Sequence, residues 1–176
     1  MSFVDHLEEL RWHLIRSVIA IGIFTIAAFA CMPYIFHHII LAPSRTDFWT
    51  YQMLCKLSPS LCIDKIDFTL QSRNMSGQFT MHILASIVAG LVVAFPYVFW
   101  EIWKFIKPAL HTSEKKYTAG TVLAVTTLFF LGVLFGYFII APLSINFLAN
   151  YKLDESIVNQ FDITSYMSTL LSLIHI

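Results

Sequence analysis

Long blocks of apolar residues most constrain what this chain can fold into. The first block runs from Leu14 to Phe36 without an acidic residue, and two further blocks cover Met75–Trp100 and Tyr117–Ile140. A helix that crosses a bilayer needs about 20 predominantly apolar residues, and each block supplies them. The sequence therefore predicts an all-α fold, a polytopic bundle of transmembrane helices.

The overall composition favours membrane spans over a water-soluble globule. Hydrophobic residues make up 57% of the chain and charged residues 12%, with a mean hydropathy of +0.71. Soluble domains carry about 25% charged residues, so this chain has too few to cover a soluble surface. The net charge is zero. A nucleic-acid partner is not expected, because such partners select a basic face.

Polar segments separate the apolar blocks. The segments His37–Gly77 and Ala141–Asp162 are predicted to be loops, and Glu101–Lys116 is predicted to be a short amphipathic connection. A fourth apolar run begins at Ile163, but the residues that remain are too few to cross a bilayer core of roughly 30 Å. We therefore expect residues 1–176 to form one membrane domain that is a fragment of a longer one.

The C-terminal end has a second unusual feature. Residues Leu171–Ile176 read LSLIHI, which is one translation of a transposon end used in sequencing libraries. On that match we treat these residues as a candidate sequencing artefact.

The distribution of basic residues predicts the orientation. Lysine and arginine favour the cytoplasmic side, and they are denser if the N-terminus is cytoplasmic, because the segments then outside are about twice as long in total. The basic residues then inside are Arg11, Arg16, Lys104, Lys107, Lys115 and Lys116. This orientation puts Cys55 and Cys62 in an oxidising compartment, where a disulfide would close a small loop; two free thiols are the alternative.

Three stretches of sequence carry a family resemblance. The first stretch, residues 6–11, reads HLEELR, and the last runs from Phe130 to Ala149. Between them, one pattern of spacing, P-x6-W-x-F-x2-P-x-L-x3-E-[KR], is filled by Pro96, Trp103, Phe105, Pro108, Leu110, Glu114 and Lys115. In this order and spacing the stretches resemble the TatC family of the twin-arginine protein export system.

The resemblance implies a fold and a function. The family has six spans, so this chain would hold three and the start of a fourth. It would be a signal-peptide receptor and core subunit of a translocase in a bacterial-type cytoplasmic membrane, exporting folded proteins on the proton-motive force. The implied partners are TatA-type and TatB-type single-span subunits, twin-arginine signal peptides, the lipid bilayer and further copies of the chain. The family implies no cofactor and no enzyme activity.

The resemblance also points to binding residues. Adjacent arginines need acceptors for bidentate, charge-assisted bonds, and Glu9 and Glu114, with Arg11 in the first motif, match family positions near the cytoplasmic ends of spans. Ordinary solvated acids are the alternative for both carboxylates. Glu8 and Glu101 lie off the motifs and are expected at the surface. The family often has an arginine where this chain has His13.

Aromatic and proline residues complete the predicted site. Trp103 and Phe105 would form either an apolar shelf for the peptide or an interfacial belt. Pro96 and Pro108 would fix the shape of the loop. On the outer side, Pro43 matches a family position or is an ordinary turn proline.

Two other classes of protein, a secondary transporter and a membrane enzyme, would require residues of a different kind. A secondary transporter fragment would carry ionisable residues or broken helices near the bilayer midplane, and the apolar blocks carry no deep acidic residue, although Gly90 is a candidate break. A membrane enzyme would need a nucleophile with its base or clustered metal ligands. The histidines His37, His38 and His82 show no such pattern, so no metal site is expected.

Overall fold

The described residues fold almost entirely into helices, and the predicted all-α membrane fold is confirmed. The structure, a computed structural model, describes residues 3–45, 48–57, 69–107, 120–151 and 160–175. Within these ranges, three helical stretches are long and apolar enough to cross a membrane: Glu8–Ala30, Gly77–Ile106 and Thr121–Asn150. A shorter apolar helix covers Ile163–Ile174.

The elements follow one another in a simple order. The first half contains α1 (Phe3–Ala30), α2 (Met32–Ile35), a π-helical turn (Phe36–Ile40), a 3-10 turn (Ala42–Ser44) and α3 (Trp49–Leu57). The strand β1 (Thr69–Gln71) then precedes α4 (Gly77–Ile106). The remainder contains α5 (Thr121–Phe135), a second π-helical turn (Gly136–Ile140), α6 (Ala141–Asn150), β2 (Gln160–Asp162) and α7 (Ile163–His175).

Two predicted element boundaries are wrong. The helix α4 does not end at Trp100 but continues to Ile106, and Pro96 lies inside it. The predicted loop from Ala141 is helical as far as Asn150. Prolines suggested a break in both places, but Pro142 lies in the first turn of α6, and the carbonyl that its missing N–H leaves free, Phe138 O, accepts a hydrogen bond from the Thr50 hydroxyl instead. Within a bilayer, backbone groups must be satisfied internally, which favours continued helix around Pro96.

The described residues fall into two compact units. Unit 1 contains Met1–Ala30 and Ser86–Phe130. In it, α1 and α4 approach closely at Gly90, where an added Cβ atom would lie 2.6 Å from the Cα atom of Thr25. Phe95 of α4 stacks on Phe129 of α5 with ring centroids 3.7 Å apart. Gly90 therefore serves close helix packing and does not break α4.

Unit 2 contains Cys31–Ala85 and Leu131–Ile176 and holds the main buried cluster. The cluster comprises Met32, Ile40, Ala85, Ile145, Tyr166, Met167 and Leu170. A short parallel strand pair, which the sequence did not predict, joins Thr69–Gln71 to Gln160–Asp162. Asp162 then starts α7, accepting hydrogen bonds from the backbone N–H and the hydroxyl of Thr164.

Two buried prolines in unit 2 share one feature: a side-chain hydroxyl replaces the backbone donor that each proline lacks. Pro43 and Pro142 lack an N–H, so the carbonyls four residues earlier have no helical donor from them. Side-chain hydroxyls take that place: Tyr137 donates to Ile39 O at 2.7 Å, and Thr50 donates to Phe138 O at 2.5 Å. Hydroxyls thus satisfy the two backbone acceptors that the prolines leave without a helical donor.

Tyr51 of α3 connects the two prolines. It is 1% exposed, and its hydroxyl lies 2.9 Å from Pro43 O and 3.0 Å from Pro142 O. Burial raises the pKa of Tyr51 to about 12, so the phenol stays protonated and remains a donor. Pro43, for which a structural role was predicted, thus has a specific contact with the Tyr51 hydroxyl.

Candidate functional site

The predicted N-terminal motif lies on the first turns of α1. Glu9 and Arg11 are both exposed, as is Glu8. A helix was expected to begin after this motif, near Leu14, but α1 begins at Phe3. Glu9 and His13 are therefore four residues apart on one helix, on the same face and about 6 Å apart along the axis.

Glu101 is buried, and its expected surface position is wrong. The residue is 2% exposed, and its Oε2 atom lies 2.6 Å from His13 Nδ1. The cause is the continuation of α4 beyond Trp100, which keeps Glu101 on a helix face that meets α1. A carboxylate and an imidazole thus join the two helices one turn away from Glu9.

Further groups surround this buried pair. Lys104 Nζ lies 3.4 Å from Glu101 Oε1 and 3.5 Å from the ring centroid of Trp100. The Ser17 hydroxyl donates to His13 O at 2.9 Å. A buried carboxylate needs charged or hydrogen-bonding partners, and Glu101 has three of them, in His13, Lys104 and the Tyr97 hydroxyl. The Glu101 carboxylate is therefore already engaged by protein groups, whereas the exposed Glu9 carboxylate is accessible to a ligand.

The predicted aromatic residues lie on α4 and not in a loop. Trp103 is half-buried and stacks on Phe99 with centroids 6.1 Å apart. The Phe105 ring lies 6.4 Å from the His13 ring. Phe105 therefore borders the pair of α1 and α4, while the choice between a peptide shelf and a membrane belt stays a prediction for both residues.

Some predicted site residues lie outside the described residues. These are Glu114, Pro108 and Cys62. The pairing of Glu9 with Glu114 in one site therefore remains a prediction. Cys55 is disulfide-bonded and Cys31 is free, which agrees with the predicted bridge from Cys55 to Cys62 without describing the second sulfur atom.

Nothing in the described part of the chain forms a metal site. No group of three histidine, cysteine, aspartate or glutamate side chains there has the arrangement to hold an ion. His37 instead contacts the Arg45 guanidinium at 3.1 Å, and His38 stacks on Tyr34.

Comparison with known proteins identifies the family. The profile described as Sec-independent protein translocase protein (TatC) matches residues 5–176. The chain belongs to the TatC family. The TatC of Blattabacterium sp. subsp. Periplaneta americana (strain BPLAN) is 40% identical over 97% of this chain and 67% of its own length. The TatC of Aquifex aeolicus (strain VF5) is 31% identical over 99% of this chain and 65% of its own length.

Solved structures of TatC agree with this assignment. A crystal structure of the twin arginine translocase receptor TatC matches with a TM-score of 0.73 at 30% identity, covering 96% of this chain and 67% of that chain. A second, determined in DDM, gives a TM-score of 0.70 at 30% identity over 96% of this chain and 68% of that chain. The chain spans about two thirds of the length of these TatC proteins. The resemblance drawn from the motifs is confirmed.

The pair of His13 and Glu101 is the part of the site that sequence reasoning missed. The two residues are 88 positions apart, and no spacing rule connects positions on different helices. One signal was present, because His13 departs from the arginine that this TatC motif often carries. A changed charge at one position suggests a changed partner, but the sequence alone does not name that partner.

Proposed function

We propose that this protein is the signal-peptide receptor and core membrane subunit of a twin-arginine translocase. Family membership and the open carboxylate of Glu9 support this function. The proposed ligand is a pair of adjacent arginines at the start of a signal peptide, whose guanidinium groups form bidentate bonds with carboxylates. Glu114 supplies the second acceptor in this proposal.

The observation that carries the proposal is that the helix bearing Glu9 is held in place one turn away from this residue. The contact from His13 to Glu101 holds α1 against α4 one turn from Glu9. A binding group on a rigid element loses less conformational entropy when its ligand arrives. Trp103 and Phe105 extend along α4 from the same region and offer apolar surface to the peptide residues that follow the arginines.

The rest of the proposed activity follows the family. Folded cargo would cross the cytoplasmic membrane through a protein-transport complex with TatA-type and TatB-type subunits, and the proton-motive force would supply the energy. The N-terminus and the cytoplasmic end of α4 would face the cargo. A transporter for small solutes gains no support, since the buried Glu101 lies near the end of α4 and away from its middle.

Crosslinking in membranes tests the receptor role. A signal peptide with a photoreactive residue next to its arginines is added to membranes that contain the protein, and Glu9→Gln and Glu114→Gln are each compared with the unchanged chain. Glu8→Gln is the matched control, because it removes the same charge one residue away from Glu9. We expect about tenfold less crosslink for Glu9→Gln and Glu114→Gln, the size of one charge-assisted bond.

Two outcomes would contradict the proposal. An equal crosslink for all variants at equal protein levels would make Glu9 and Glu114 ordinary solvated acids. An equal crosslink for a peptide with both arginines replaced by glutamine would show that the guanidinium groups are not what the protein binds.

A further inference from the structure

Unit 1 contains a cleft that the proposed receptor site does not use in full. Its volume is about 670 Å³, within the range of about 300 to 1,000 Å³ that is usual for ligand sites. The residues that matter for its chemistry are Trp100, Trp103, Lys104, Lys107, Leu123 and Thr126. They come from the C-terminal part of α4 and the start of α5.

The wall of the cleft combines basic, aromatic and apolar side chains. Lys104 and Lys107 lie toward the end of α4, beside the two tryptophans, as is usual at the boundary between headgroups and acyl chains. Leu123, on α5, is 74% exposed and offers an apolar surface. A ligand that fits this wall has an anionic end and an apolar end.

Thr126 adds a third requirement. Its hydroxyl oxygen is buried and has no hydrogen-bond partner among the described residues, although it lines the cleft. An unsatisfied buried hydroxyl costs about 1 to 3 kcal/mol, and an acceptor on a ligand would remove that penalty. The ligand should therefore carry a neutral acceptor, such as an ester carbonyl, in addition to its anionic and apolar parts.

We propose that this cleft binds an anionic phospholipid. The phosphate lies at Lys107 and Lys104, an ester carbonyl of the glycerol backbone accepts from Thr126, and the acyl chains follow Leu123. Basic pockets between transmembrane helices bind the headgroups of anionic lipids in this way. Lys104 shares its charge with Glu101, so Lys107 supplies the larger part of the attraction.

The two lysines of the cleft favour an anionic ligand over the cationic signal peptide. A twin-arginine peptide is cationic where it meets the proposed receptor site, and two lysines repel it. Glu9, which would attract the arginines, does not line this cleft. The two proposed sites share Trp103, but the lipid proposal does not require the receptor role.

Native mass spectrometry of the detergent-purified protein tests the proposal. The protein is incubated with phosphatidylglycerol or phosphatidylcholine of the same acyl chains. We expect phosphatidylglycerol to be retained at least about fivefold better, and Lys107→Gln to lower that retention about fivefold, as for one lysine near a lipid surface. Lys107→Arg should retain the lipid, and Lys56→Gln, which changes a lysine of α3 outside the cleft, should have no effect.

Several results would overturn the proposal. Equal retention of the two lipids, or unchanged retention in Lys107→Gln, would show that Lys107 binds no headgroup. Equal losses in Lys107→Gln and Lys56→Gln would show only a general charge effect.

A photoreactive residue in place of Leu123 tests the apolar part of the cleft. In membranes it should label phospholipid, and glycerol phosphate should not reduce the labelling, because it lacks the acyl chains. Labelling of a protein segment would make the cleft a helix-docking or peptide site and would overturn the lipid proposal. Competition by glycerol phosphate would overturn the role of the acyl chains.

Discussion

At the scale of single residues, the buried contact between His13 and Glu101 is the most informative feature. Glu101 Oε1 and Oε2 both have cationic or hydrogen-bonding neighbours, and the side chain is only 3% exposed. Removing one partner of such a pair costs more than the pair contributes, because the remaining polar group stays buried. The contact therefore determines whether α1 keeps its place on α4.

A double-mutant cycle measures this contact. His13→Ala and Glu101→Ala are each expected to lower the free energy of unfolding by about 1 to 3 kcal/mol, with a coupling of about 0.5 to 3 kcal/mol between them. The measurement is unfolding of the purified protein in detergent. Glu8→Ala, at an exposed position of the same helix, is the control. Strictly additive losses would show that the two side chains do not interact.

Tyr51 gives a second prediction at this scale. Tyr51→Phe removes one hydroxyl that reaches the carbonyls of both Pro43 and Pro142. We expect a loss of about 1 to 3 kcal/mol in the free energy of unfolding, because two buried acceptors lose a donor. Tyr34→Phe is the matched control, since Tyr34 is 66% exposed. Equal unfolding of the two variants would mean that water replaces the Tyr51 hydroxyl.

The sequence predicted individual residues unevenly, for a physical reason. Motif matching predicted binding roles for Glu9 and Arg11, which stay predictions, and both residues lie exposed near the start of α1. It did not predict the burial of Glu101 or the hydroxyl contacts of Tyr51, Tyr137 and Thr50. Except for the contact of Tyr51 with Pro43, eight positions away, those contacts join residues about 90 positions or more apart, and local pattern carries no information about which helix faces meet.

At the scale of helices, the sequence predicted spans well and their ends poorly. Apolar blocks predicted the three long helices, because the bilayer imposes both composition and length. The ends were misplaced at Trp100 and Ala141, because the predictions gave nearby prolines too much weight. Proline removes one backbone hydrogen-bond donor, and a tertiary contact can replace it, as the Thr50 hydroxyl does by donating to Phe138 O. The helix therefore continues where a neighbour satisfies the freed carbonyl.

The approach of α1 to α4 gives a prediction about helix packing. Gly90→Ala places a methyl group 2.5 Å from Thr25 Oγ1 and 2.6 Å from the Thr25 backbone, so the helices must separate. We expect a loss of about 1 to 3 kcal/mol in the free energy of unfolding, as for other overpacked sites. The measurement is again unfolding in detergent.

Gly132→Ala is the matched control for that prediction. Apart from its own helix and chain neighbours, no atom of the described residues lies within 4 Å of a Cβ atom added at Gly132, so the same change should be neutral or stabilise the helix by up to about 1 kcal/mol. Gly136, four residues further along, is by contrast closely packed, because a Cβ atom added there would lie 3.0 Å from Leu173 O. Equal effects at Gly90 and Gly132 would contradict close packing of α1 on α4.

At the scale of the whole molecule, the prediction concerns which parts face which side of the membrane. If each of the three long helices crosses once, Glu8 and Lys107 lie on one side, and Met75 and Tyr151 lie on the other. The positive-inside tendency assigns the first side to the cytoplasm. The proposed receptor site depends on this assignment, because Glu9 must meet a cytoplasmic signal peptide.

Single cysteines at these four positions test the assignment. Each is introduced into a Cys31→Ser background, which removes the free exposed thiol, and intact spheroplasts are treated with a membrane-impermeant maleimide. Met75→Cys and Tyr151→Cys should react at once, since both positions are exposed, whereas Glu8→Cys and Lys107→Cys should react only after the membrane is opened. The reverse pattern would put Glu9 on the wrong side for a cytoplasmic signal peptide. Labelling of Glu8→Cys and Met75→Cys from the same side would mean that α1 does not cross, because a single span must separate them.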